Sequence, residues 1–162
     1  MTDRASLDLV LLRRVLPVLL LSLCVASGAW AHMDGGGGDG DDAAILAAVE
    51  NGYVRGIHVE SDADLVRTHF HPSFVMLISR PDGTVTHLSR DEWVERIEGA
   101  DPNRERPEIR HEAKVIGAVG DAAVVRLELW RDGVHTFTDF LSLYRQDGDW
   151  KIVGKTFHRH GR

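Results

Sequence analysis

From Ala122 to His160, apolar and polar residues alternate in three runs, AAVVRLELW, VHTFTDFLSLY and WKIVGKTFHRH, separated by RDG and RQDGD. Asp-Gly supplies the positive backbone angles that tight hairpins need, so the pattern predicts a three-stranded antiparallel meander. With Asp132-Gly133 and Asp147-Gly148 as two-residue loops and no irregularity in the strands, Arg126 sits opposite Asp139 and Glu128 opposite Phe137. Asp139 then faces Thr156, and Phe137 faces His158. One sheet face carries Val124, Leu141, Leu143, Trp150 and Ile152 at one end, and Arg126, Glu128, Asp139, Thr156 and His158 at the other. A face that is apolar at one end and charged at the other fits a sheet curling around a pocket. The same charges also fit a solvated face, with Arg126 and Asp139 as a surface pair worth about 0.2–1 kcal/mol. The opposite face (Ala123, Val125, Leu127, Leu129, Val134, Phe140, Val153, Phe157) is too apolar to stay in water and needs a cover.

Upstream the period changes. Ile45, Val49, Tyr53 and Ile57 recur every fourth residue, which predicts an amphipathic helix over residues 43–60. Gly52 and Gly56 each cost a helix interior about 1 kcal/mol against alanine. They predict close approach to another element. A capping signal at residues 61–64 opens a second short helix through Leu65 and Val66, ended by His71-Pro72, and the Ser89-to-Glu92 capping box opens a third. Between them, the segments flanking Pro81-Asp82-Gly83 read as a hairpin, and Glu108 to Gly117 as a further strand. The order predicts an α+β fold with about three helices on one side of an antiparallel sheet.

The first 42 residues have a different character. Arg13-Arg14, the apolar run Val15 to Ala26 and a small-residue end at Ala31 predict a signal peptide over residues 1–31, cleaved after Ala31, with an uncleaved anchor as the alternative. Residues 32–42 then form a flexible Gly/Asp linker, and residues 43–162 one domain. This predicts a secreted or periplasmic protein with no membrane segment after cleavage. Cys24, the chain's one cysteine, lies in the leader, which excludes disulfides and thiol catalysis from the mature chain. The formal net charge of −6 is spread without Lys/Arg blocks and argues against nucleic-acid binding.

On the inferred register Asp139 and His158 are diagonal neighbours about 7–8 Å apart. A carboxylate beside an imidazole can fix its tautomer and raise its basicity, so the two are candidate catalytic residues for acid/base chemistry near neutral pH. Arg126 would hold Asp139 ionised; an ion-pair network bracing the sheet is the alternative. Tyr53, His71, Trp93, Arg126, Glu128, Trp130, Phe137 and Thr156 are the candidate pocket lining, although aromatic residues at such spacing equally serve as core. His69-x-His71 and His158-x-His160 have metal-site spacing. With no cysteine in the domain and no HExxH helix, neither a metal nor a cofactor is expected.

The helix bearing Tyr53, followed by DADLVRTHFHPSFVML, DGTVTHLSRDEWVERI and DGVHTFTDFLSLYRQDGDWKIVGKTFH, resembles the putative lumazine-binding family of the nuclear transport factor 2-like (SnoaL-like) superfamily. The resemblance implies a cone: a strongly curved sheet wrapped around three helices, a pocket at the wide end, and a homodimer formed through the outer sheet face. That superfamily includes isomerases, dehydratases, cyclases and epoxide hydrolases beside members that only bind or dimerise. Its enzymes use an Asp or a His–Asp arrangement in the pocket, which points here to Asp139 and His158. The expectation is an exported protein that binds a small organic molecule in its cone, with isomerase- or dehydratase-like chemistry at that pair. A dimerisation or interaction module without turnover is the alternative.

Overall fold

A computed structural model describes residues 39–161. The leader expected over residues 1–31 lies outside the described residues, as does most of the expected linker. The last four residues of that linker are helical, because helix α1 (Asp39–Val49) already begins at Asp39. Acidic side chains suit the positive end of a helix, and Asp41 is further held by Arg145 Nη2 at 3.0 Å. From Val49 the backbone runs on into a π-helical segment (Glu50–Val59).

Asp62 caps helix α2 (Ala63–His69), its carboxylate accepting from the Asp64 and Leu65 amides at 2.8 and 3.1 Å. Strands β1 (Phe70–Ser79) and β2 (Val85–Ser89) form the expected hairpin. Helix α3 (Arg90–Glu98) opens with the full Ser89/Glu92 capping box. Then come β3 (Ile109–Val119), β4 (Ala122–Arg131), β5 (Val134–Gln146) and β6 (Asp149–Arg159). The sheet is open, in the order β2-β1-β6-β5-β4-β3, with β1 parallel to β6 and every other pair antiparallel. The helices pack on one face, α1 against β3, β4 and β6, and α2 and α3 against β1. This is the α+β layout that the order of elements predicts and the cone that the resemblance implies.

Two bulges correct the inferred register. Pairing across Asp132-Gly133 starts as expected, with Arg131 opposite Val134 and Trp130 opposite His135, but Thr136 is an extra residue and Leu129 pairs with Phe137. On the far hairpin Ile152 pairs with Leu143, Val153 is extra, and Gly154 pairs with Ser142. Because side chains alternate with a period of two, one extra residue moves everything beyond it to the other face. Ala123, Val125, Leu127 and Leu129, expected outside, are therefore buried in the core. They pack there with Leu141, Leu143, Trp150 and Ile152 of the neighbouring strands. Phe157 also turns to the core side, and Phe140 stays outside as expected.

The two helix glycines meet a neighbour. A Cβ on Gly52 would lie 2.4 Å from the His69 Cβ, and one on Gly56 would lie 3.2 Å from both Leu65 Cβ and Val66 Cγ2. The π-helical segment thus lies directly on α2, closely at Gly56 and, at Gly52, so closely that only a bare backbone fits.

Candidate functional site

The π-helical turn sets the site's first feature. Its wider turn aligns residues five apart, so Tyr53 and His58 stand together, with ring centroids 4.9 Å apart and planes at 87°. Tyr53 points to the sheet and donates from its hydroxyl to Asp139 Oδ2 at 2.6 Å. The other carboxylate oxygen lies 2.9 Å from Lys155 Nζ. Asp139 has no exposed surface and Lys155 only 6%. The ammonium is also ringed by aromatic faces, 4.6 Å from the Phe157 centroid and 4.8 Å from that of Tyr53. Burial pulls the Lys155 amine below its ordinary range although Asp139 works against it. Burial pushes the Tyr53 phenol well up, with Asp139 adding to the effect, so Tyr53 remains a proton donor. Charges withdrawn from water in this way hold only while each keeps its partner.

Where β4 ends, His58 meets Arg131, the strand's last residue, with Arg131 Nη2 3.1 Å from His58 Nδ1. Burial, followed by Arg131, Lys155 and His111, lowers His58 to about 3. The ring is therefore neutral at physiological pH. A guanidinium can only donate, so Nδ1 accepts and the ring proton sits on Nε2. That Nε2–H and Arg131 Nε are both buried, and neither has a hydrogen-bond partner among the described residues. Both residues line a cleft of about 300 Å³ together with Ile57, Ile97, Pro102, Arg104 and Arg106. Arg106 Nη1 donates to the Val59 carbonyl at 2.6 Å and ties the cleft's outer loop to the end of the π-helical segment.

Residues 40–158, from the first helix to the last strand, match the family described as Putative lumazine-binding. The chain belongs to this family. Among solved structures it is similar to an NTF2-like protein of unknown function from Silicibacter pomeroyi, at 26% identity and a TM-score of 0.57, over 73% of this chain and 94% of that one. An NTF2-like protein from Shewanella baltica is similar at 24% identity and a TM-score of 0.58, over 74% and 94%. The hub homology domain of CamKII from Chlamydamonas reinhardtii shares the fold at 16% identity and a TM-score of 0.54, over 74% and 98%. No curated protein matches.

In this member of the family, the expected pairing of Asp139 with His158 is corrected. Asp139 pairs with Leu127 and Phe157 on the inner side, whereas His158 pairs with Thr138 and is exposed on the outer side. Arg126 stands opposite Phe140 rather than Asp139. Arg126, Glu128, Trp130 and Thr156, expected to line the pocket, share His158's outer face for the same reason. Each lies beyond a bulge, or opposite a strand that a bulge has shifted. His71 is half-buried at the start of β1, its Nδ1 accepting from the Ser73 amide at 3.1 Å. Tyr53, Trp93 and Phe137 point inward but belong to the core and are not among the residues lining the cleft: Trp93 packs 6.1 Å from Tyr53, and Phe137 is buried 5.6 Å from Lys155 Nζ.

Three residues at the centre of the arrangement escape a reading by pattern. Lys155 sits on the inner face only because of the Val153 bulge. His58 joins Tyr53 through a five-residue step that a search at fourfold spacing passes over. Arg131 looks like an ordinary charge before a turn, and its unpartnered Nε is a property of the folded chain.

Proposed function

We propose that the chain binds a small, flat organic molecule carrying carbonyl or carboxylate oxygens, in the cleft at the wide end of the cone. The observation that carries this reading is the pair of donors His58 Nε2–H and Arg131 Nε, which belong to residues of the cleft wall, are closed off from solvent and lack acceptors among the described residues. An unmade hydrogen bond at a buried polar group costs about 1–3 kcal/mol, and an acceptor from a ligand would recover it. The family's description names lumazine, a fused bicyclic dione whose edge carries such oxygens. Arg104, Arg106 and Arg131 outnumber the acids Glu98 and Asp101 on the same lining and favour an anionic or strongly polarised edge, while Ile57, Ile97 and Pro102 offer apolar surface to a ring.

Binding without turnover is the reading put forward. Asp139 is committed through both oxygens to Tyr53 and Lys155, and His158 lies across the sheet from it. Isothermal titration with lumazine and with a flat aromatic carboxylate, followed in parallel by intrinsic tryptophan fluorescence, tests the proposal. Saturable binding is expected for at least one probe, weakened tenfold or more in Arg131→Met and in His58→Phe, since a hydrogen bond to a charged group is worth about 1.5–3 kcal/mol. Absence of binding to either probe, or equal affinity in both variants, would overturn it. We also propose that a second copy covers the outer sheet face around Phe140 and Tyr144, which are 39% and 53% exposed.

A further inference from the structure

Thr136 has a second effect on the side of the sheet away from the cleft. With it as the extra residue, His135 and Thr138 both face outward, next to Glu128 of β4 and the segment that ends β6. His135 Nε2 lies 2.9 Å from Glu128 Oε2, the oxygen that also accepts from Thr138 Oγ1. His160 Nε2 lies 2.8 Å from the same hydroxyl. The two imidazole nitrogens and the carboxylate oxygen all fall within 4.8 Å of one another. Their rings are held by stacking: Trp130 on His135 at 4.7 Å, His135 on His160 at 3.9 Å, and the Arg110 guanidinium 3.5 Å above Trp130.

We infer that Glu128, His135 and His160 form a binding site for a divalent transition-metal ion of the zinc class, with one carboxylate oxygen and two Nε2 atoms as ligands. Two imidazoles and one carboxylate suit ions that prefer nitrogen, and supply too few oxygens for calcium or magnesium. Three protein ligands leave a coordination position open to water or another ligand, the pattern of zinc sites that are more than structural. Ligands of one tetrahedral zinc lie about 3.4 Å apart, given bonds of about 2.0–2.2 Å. Binding one ion would close the present spacing of up to 4.8 Å toward that value. Thr138, already bonded to the Glu128 oxygen, orients the carboxylate as an outer-shell partner would. The register inferred without bulges already sets Glu128, His135 and His160 on one face, and the bulge at Thr136 adds Thr138 to it.

Titration of the purified full chain with Zn²⁺ alone, by calorimetry, tests the inference. One ion per chain is expected at this site. Glu128→Gln, His135→Ala and His160→Ala should each weaken it about tenfold or more, since even outer-shell changes cost about 10–100-fold. The double variant H69A/H71A should leave it unchanged. Because Glu128→Gln keeps the side chain's shape, circular dichroism should match the parent. Titration with Co²⁺ should give visible absorption bands that this variant loses. No binding, or binding that survives all three ligand variants, would overturn the site.

Discussion

Tyr53, Asp139 and Lys155 place an ion pair and a phenol where water does not reach, and the behaviour of each depends on the other two. Removing one member of such a pair strands the other, at a cost of about 3–5 kcal/mol, whereas replacing both with apolar groups is often close to neutral. Lys155→Met should therefore lower the urea midpoint sharply, and adding Asp139→Leu should recover most of the loss. Chemical denaturation of the two single variants and the double measures this coupling directly. A double variant no more stable than Lys155→Met would mean that Asp139 is not stranded. The sequence marks Asp139 as an inward position and does so correctly, since β5 keeps its face from Phe137 to Leu143, beyond the Thr136 bulge. Lys155 is not legible in the same way. A lysine in an alternating strand reads as solvent-facing unless its register is already known.

At the scale of elements, the helix and its glycines were readable because the physics is local. An apolar stripe at fourfold spacing and two residues without side chains imply a helix pressed against a neighbour. The neighbour is α2, and Gly52→Ala should cost about 1–3 kcal/mol, the usual range for overpacking. A thermal melt should show the lower transition, because the new methyl group would meet the His69 Cβ at 2.4 Å. What could not be read is where that helix widens its turn. The strands teach the complementary lesson. On β4, the side carrying Ala123, Val125, Leu127 and Leu129 is more apolar than the side carrying Val124, Arg126, Glu128 and Trp130, and hydrophobic burial selects the former for the core. A register carried rigidly from the turn overrules that preference. The bulge at Thr136 is how the chain satisfies both the turn and the core.

For the whole molecule, the class of fold was legible from the order of elements and the family's motifs, and neither depends on single-residue register. The position of the cleft was not, because it rests on the last turn of the π-helical segment, the loop after α3 and the end of β4. The proposed dimer makes a separable prediction. Phe140→Asp or Tyr144→Asp should convert a dimer to a folded monomer in sedimentation equilibrium. Leu127→Asp should unfold the chain instead, because Leu127 is a core residue. A dimer that persisted in both outer-face variants would place the interface elsewhere. The bulges carry one more consequence, which concerns descent rather than energy. Relatives that differ by one inserted or deleted residue near position 136 or 153 would present opposite side chains at the same aligned columns, so a change of chain length, with no substitution at all, could exchange what a strand offers the cone for what it offers a partner.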